Sequence, residues 1–267
     1  MSSSRPVGSL KMQNLLVKPE IQIVPTIEEL SLAAALHFVH QGKEAILEKN
    51  LFTVALAGGS MPNGAYSRLA NDPALNKQLS WGSVHFFWTD EPYGADNHAE
   101  SNHQKAHETM LAKLPLPPEN VHSIKRDYRS ASQVAYEYER YLRRFFVVKP
   151  EQLPRFDLVL LGMETDGHIT SLLPGSKALL EQKRVVVANW VETRNAYRIT
   201  MTVPVLNNAA CVIFLISGEE KSAMLSRVLY GEYEPQRYPA QLLLQVRGRL
   251  LWIMDKAAAR LLPDLPG

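Results

Sequence analysis

The feature that most constrains this chain is a repeated change of hydrophobic period. Short, nearly continuous apolar runs (52–56, 84–88, 157–161 and 212–216) alternate with longer amphipathic stretches. An apolar run of strand length is expected where a strand is covered on both faces. Alternation of such runs with helices implies a mostly parallel α/β sheet with helices on both faces. Residues 184–188 and 250–254 read as further strands. Residues 197–203 alternate polar and apolar side chains, the pattern of a half-exposed or edge strand.

Helix signals fill the gaps. Thr26 and Glu29 form a capping box, followed by Leu32, Ala35, Leu36 and Val39 at helical spacing. Ser101 and Gln104 offer a second box, with Met110 and Leu111 beyond it. Val134, Tyr138, Tyr141, Leu142 and Phe145 form a core-facing stripe, and residues 219–229 and 256–262 also read as helical. With 267 residues the chain has room for one large domain or two small ones. The proline-containing breaks near 115–118 and 150–154 read as connectors, so residues 21–267 are expected to form a single α/β domain behind a loose N-terminal extension, residues 1–20.

A formal charge of +2 gives no electrostatic case for nucleic acid or an acidic membrane. The single cysteine, Cys211, rules out an intramolecular disulfide and fits a reducing, cytoplasmic setting. The first twenty residues lack the apolar core of a secretory signal, and no run approaches the ~18 apolar residues of a membrane helix.

Ligands of open parallel sheets bind beyond the C-terminal strand ends, so the segments after each strand hold the functional candidates. After residues 52–56 comes Ala57-Gly-Gly-Ser-Met-Pro62: Gly58 and Gly59 allow close backbone approach, Ser60 adds a hydroxyl, and exposed N–H groups at a helix start favour a phosphate. A tight structural turn explains the glycines equally well. After residues 84–88, Asp90 and Glu91 can bind sugar hydroxyls, orient a base or hold a metal; a loop acid capping a helix is the plainer reading. After residues 157–161, Gly162 and Gly167 permit a loop that lifts Asp166 and His168 above the sheet edge. Histidine suits proton transfer near neutral pH, and an adjacent carboxylate orients its ring. After residues 212–216, Lys221 falls in the first turn of a helix, where a cation opposes the dipole and an anionic partner is implied, unless Glu219 and Glu220 neutralise it. Arg198 is a second candidate phosphate ligand or a plain exposed strand arginine.

Other constellations are weaker. His103 and His107 stand four apart near His98, Glu100 and Glu108, but no third ligand falls at a familiar spacing, so no metal is expected. Cys211, inside a strand, reads as an inert core thiol, and Ser60 sits in no G-x-S-x-G elbow.

Taken in order, these segments resemble the 6-phosphogluconolactonase family. The resemblance spans residues 27–262. It rests on Ala57-Gly-Gly-Ser-Met-Pro62, Thr89-Asp-Glu91 with Glu100-Ser-Asn102, Leu160-Leu-Gly-Met-Glu-Thr-Asp-Gly-His168 with Ser171-Leu-Leu-Pro-Gly175, residues 198–207, Gly218-Glu-Glu-Lys221 and Pro239-Ala240. It implies a Rossmann-like, doubly wound fold shared with glucosamine-6-phosphate deaminases and ribose-5-phosphate isomerases. The implied reaction is hydrolysis of 6-phospho-D-glucono-1,5-lactone, the second step of the oxidative pentose phosphate pathway, with no metal or organic cofactor. His168 would be the general base, Asp166 its orienting partner, Gly58, Gly59, Ser60, Arg198 and Lys221 the phosphate ligands, and Asp90 a partner of sugar hydroxyls. That assignment requires His168, Arg198 and Lys221 to share one cleft. Three positions depart from the pattern: Pro92 stands where the family has arginine, Glu164 where it has glycine and Ile169 where threonine is common. The expected partner is a small sugar phosphate, with no nucleic acid or membrane, and the expected assembly is a monomer or weak dimer. The alternatives are a glucosamine-6-phosphate deaminase/isomerase and a non-catalytic sugar-phosphate-binding protein.

Overall fold

The apolar runs form the middle of a seven-stranded sheet whose every pairing is parallel. A computed structural model describes residues 19–94, 100–125 and 130–263. Its large sheet contains β1 (Glu20–Val24), β2 (Phe52–Leu56), β3 (Val84–Trp88), β5 (Val121–His122), β6 (Leu158–Leu161), β9 (Cys211–Ile216) and β10 (Arg249–Asp255), in the order β1-β10-β9-β6-β2-β3-β5. A second, three-stranded antiparallel sheet, ordered β4-β8-β7, joins β4 (Asp90–Pro92), β7 (Val186–Val191) and β8 (Ala196–Met201). Every residue of β2, β6 and β9 is buried, as strands covered on both faces must be.

The helices are α1 (Ile27–Lys49), α2 (Ser60–Asn71), α3 (Pro73–Asn76), α4 (Asn102–Thr109), α5 (Ala131–Phe145), α6 (Val203–Asn207), α7 (Ser222–Tyr230) and α8 (Lys256–Ala259). Both expected capping boxes form: Thr26 accepts from the Glu29 N–H at 3.3 Å and Ser101 from the Gln104 N–H at 3.1 Å. The stripe expected on α1 is rotated. Ala35 and Val39 are buried, but Leu36 is 50% exposed, and Leu30, Ala34 and Phe38 lie inward. Apolar residues surround much of this helix, and the largest side chain selects the docked arc. The Phe38 ring meets those of Phe52, Phe86 and Trp81 with centroids 5.2–6.2 Å apart.

Three further expectations are corrected. The N-terminal extension does not reach residue 20: Glu20 pairs with Leu251 in β1 and its carboxylate meets Arg249 at 2.6 and 2.8 Å. Residues 1–18 lie outside the described residues. The strand expected at 184–188 begins at Val186, because Arg184 Nε and the Val185 N–H are held by Glu139 of α5 at 2.6 and 3.2 Å. The alternating strand, β8, is not an edge but the centre of the small sheet, flanked by β4 and β7. Its first half is the half-exposed part: Tyr197 is 43% exposed, whereas Ile199 and Met201 are fully buried.

The strand order fixes the place for a ligand. From β2 the chain moves to β3 and β5 on one side; β6 then returns to the other side of β2, and β9 and β10 continue outward. The reversal lies between β2 and β6, and a doubly wound sheet opens a crevice beyond the C-terminal ends of such a strand pair.

Candidate active site

The crevice contains a cleft of about 550 Å3. The loop after β2 supplies Gly58 and Gly59 to its wall, the loop after β6 supplies Gly162, Glu164, Asp166 and His168, and the small sheet supplies Asp90 and Arg198.

The β6 loop closes on itself. The Glu164 N–H donates to the His168 carbonyl at 3.1 Å, and the Gly167 N–H to the Glu164 carbonyl at 2.9 Å. Gly167 sits at φ 81°, a conformation that disfavours a side chain, and a Cβ there would stand 3.0 Å from Met224 Sδ. This turn brings both the backbone N–H and the ring Nδ1 of His168 onto one oxygen, Asp166 Oδ1, at 3.0 and 2.7 Å. The hydrogen bond from His168 holds the Asp166 carboxyl below the usual carboxylate range, against the opposing effect of burial. An ionised carboxylate only accepts, so Nδ1 carries a proton and, in the neutral ring, Nε2 carries the lone pair. His168 is thereby set as a proton acceptor facing the cleft.

Asp90 and Arg198, read separately from sequence, form one buried unit. Arg198 Nη2 and Nε reach Asp90 Oδ2 at 2.7 and 3.2 Å. Ser171 Oγ donates to the same oxygen at 2.6 Å and accepts from Arg198 Nε at 2.5 Å. Asn102 Nδ2 donates to Asp90 Oδ1 at 3.1 Å and to the Asp90 carbonyl at 2.8 Å. The Asp90 and Arg198 side chains are only 3% and 15% exposed. The Asp90 carboxylate, expected from sequence to meet sugar hydroxyls, lines the cleft but accepts from protein donors, and through them it positions Arg198 at the cleft wall.

Asn102 also explains a glycine. A Cβ on Gly58 would fall 1.9 Å from Asn102 Oδ1, so only glycine lets the β2 loop pass beneath α4. Gly59 is the N-cap of α2 and Ser60 its first residue. Glu91, the other acid of that pair, accepts from the His103 N–H at 3.1 Å and is buried. Cys211 is buried, and that burial pushes its thiol up to about 11.

Lys221 departs from expectation. It ends a 3-10 turn (Glu219–Lys221), is 8% exposed, and does not line the cleft. It is nonetheless close to the loop after β6, since Met224, one helical turn on, backs Gly167. Among the described residues its ammonium has no hydrogen-bond or ion-pair partner. Glu219, which the sequence offered as a neutralising neighbour, is paired with Arg260 instead.

Residues 25–252 match the glucosamine-6-phosphate isomerase/6-phosphogluconolactonase family. The chain belongs to that family. It is 35% identical over 215 residues to a 6-phosphogluconolactonase of Synechocystis, covering 80% of this chain and 86% of the relative. It is 33% identical over 250 residues to a protein of Arabidopsis thaliana named as a probable 6-phosphogluconolactonase, covering 90% and 92% of the two chains. The solved structure of 6-phosphogluconolactonase from Trypanosoma brucei superposes with a TM-score of 0.82 at 28% identity, over 92% of this chain and 99% of that one.

Within that family frame, Pro92 pairs with Arg198 across β4 and β8. On the edge strand a proline sacrifices no ladder donor of the core sheet, but it brings no charge to the cleft. Glu164 is exposed on the cleft wall, and Ile169 is buried in a bridge to Leu172. Two basic residues could stand in for a cation at 92: Arg194 lines the cleft, tied to Glu100 at 3.3 Å, while Arg237 pairs with Glu234 and stacks on Tyr238 away from it. Four cleft residues were not singled out from sequence: Lys105, Thr170, Val191 and Thr193. The capping box at Ser101 was the available signal for Lys105, since it fixes which residues of α4 share a face.

Proposed function

We propose that this protein hydrolyses 6-phospho-D-glucono-1,5-lactone to 6-phospho-D-gluconate, the second step of the oxidative pentose phosphate pathway. The observation that carries the reading is the His168 ring, fixed through Nδ1 on Asp166 with Nε2 free in the cleft at the sheet's reversal point. His168 Nε2 takes a proton from water as its oxygen bonds to the lactone carbonyl carbon. The bond from that carbon to the ring oxygen then breaks, and the proton on Nε2 passes to the departing oxygen. The imidazolium formed between the two steps is stabilised by Asp166. Arg198, held by Asp90 and Ser171, offers its remaining N–H groups to substrate oxygens. Gly58, Gly59 and Ser60 at the start of α2 provide positive character for the phosphate; Lys221, outside the cleft lining and without a partner among the described residues, adds only its field.

The deaminase reading requires an acid free to remove the substrate's C2 proton. The Asp90 carboxylate is unsuited to that step, because Arg198 and the side chains of Ser171, Asn102 and Thr89 already hold it. We further propose a cytoplasmic monomer or weak dimer; among the described residues no helix is long and apolar enough to cross a membrane. A coupled assay tests the function. Glucose-6-phosphate dehydrogenase generates the lactone in situ, and acid formation is followed with and without this protein. A rate equal to spontaneous hydrolysis refutes the reading, and ammonia release from glucosamine 6-phosphate establishes the alternative.

A further inference from the structure

We propose that Lys105 is the residue that makes this cleft select a phosphorylated lactone. The inference rests on the lactonase reading and deepens it by assigning the direction in which the substrate lies.

Among the described residues three long basic side chains line the cleft: Lys105, Arg194 and Arg198. Arg194 is paired with Glu100, and Arg198 with Asp90. Lys105 has no hydrogen-bond or ion-pair partner among the described residues. It lies on α4 three residues after Asn102, and side chains three apart share a helix face. Asn102 rests on Gly58, so Lys105 borders the same part of the cleft as the Gly58–Gly59 backbone. The first turn of α4 contains no acidic residue to neutralise the lysine.

Among the described residues four acids line the cleft; Glu100 and Asp90 are the partners of Arg194 and Arg198, and the two without an arginine partner, Glu164 and Asp166, both stand on the loop after β6, beside His168. In the sheet order, β6 lies on one side of β2, whereas β3, the strand leading to β4 and α4, lies on the other. The cleft therefore has an acidic wall at the proton acceptor and a cationic wall at Lys105. A phosphate dianion is repelled by the first and attracted by the second. The lactone carbonyl sits at His168, and the phosphate lies against Gly58, Gly59 and Lys105. This supplies a cation on the α4 side of the cleft, where position 92 provides none.

The test is Lys105→Met, which keeps the stem and removes the charge, with Lys105→Arg as the conservative control. Initial rates are measured on 6-phosphogluconolactone and on glucono-1,5-lactone, and calorimetry measures the Kd of 6-phosphogluconate and of gluconate. Loss of one charge-assisted hydrogen bond predicts a KM for the phosphorylated lactone raised by about ten- to a hundredfold, with kcat within about twofold. The preference for the phosphorylated over the plain lactone falls by the same factor. The Kd of 6-phosphogluconate rises with KM, and Lys105→Arg restores most of the loss. Equal losses on both lactones, or an unaltered KM and Kd, overturn the proposal. If the unmodified protein hydrolyses neither lactone, the lactonase reading fails separately, and the two Kd values still decide whether Lys105 recognises phosphate.

Discussion

Removing the Asp90 carboxylate tests the buried unit at the centre of the cleft. In Asp90→Ala, the Arg198 side chain, 15% exposed, loses its counter-charge. Ser171 Oγ and Asn102 Nδ2 lose acceptors that they hold at 2.6 and 3.1 Å. Breaking a buried pair from one side costs roughly 3–5 kcal/mol, most of it the penalty of leaving the other charge unpaired. At about 2–4 °C per kcal/mol for chains of 150–250 residues, the melting temperature falls by roughly 6–20 °C. The double variant Asp90→Ala/Arg198→Met removes both charges and leaves no ion stranded. It should therefore be more stable than the sum of the single effects implies, with a coupling of about 1–3 kcal/mol in a double-mutant cycle. Urea unfolding followed by circular dichroism measures all four corners. An Asp90→Ala protein within about 1 kcal/mol of the parent, or a strictly additive cycle, would refute the view that these charges depend on one another.

Three further outcomes follow from particular contacts. His168→Ala should lower kcat by about a hundredfold to ten-thousandfold after subtraction of spontaneous hydrolysis, with an unaltered far-ultraviolet spectrum; an undiminished rate removes the ring from the mechanism. Gly58→Ala drives a methyl into Asn102 and loosens its grip on Asp90, so it should cost about 1–3 kcal/mol and depress turnover, and a parent-like melting temperature contradicts the packing. His122, buried beside Phe87 and His85, is pushed from 6.5 down to about 4, chiefly by burial. Its folded form binds a proton less readily than the unfolded chain, so its contribution is complete above pH 6.5 and lost on acidification toward pH 4, by roughly 3 kcal/mol. Stability curves of the parent and His122→Asn should diverge across that window, and parallel curves would show that the ring does not remain neutral.

The sequence expresses most directly those elements whose environment is uniform along their length. β2 and β3 occur at the residues expected from their apolar runs, because a strand sealed on both faces is apolar at nearly every position. The loops after β2 and β6 were legible for a related reason: paired glycines in the first, and glycine beside histidine and acid in the second, are conspicuous at the end of such a run. β4 was not legible. It is three residues long, with two acids and a proline, and is a strand only because β8 lies alongside, with Asp90 opposite Thr200. Its absence from the sequence reading is also why Asp90 and Arg198 were assigned separate tasks. They are 108 residues apart in the chain, and neither residue's local pattern names the other. Once β4 and β8 pair, Asp90 has to be satisfied inside a nearly closed space, and the donors that satisfy it determine how Arg198 faces the cleft. Lys105 shows the converse. Its α4 was anticipated from the Ser101 and Gln104 capping box, yet nothing local distinguishes a cleft lysine from a solvated one. What distinguishes it is tertiary: Arg194 and Arg198 are neutralised by carboxylates brought in from distant segments, and Lys105 is not. Charge that the fold leaves uncompensated inside a cleft carries more information about a ligand than charge counted along the chain, because a folded protein can retain it there only where desolvation is incomplete or an anion arrives to share the site.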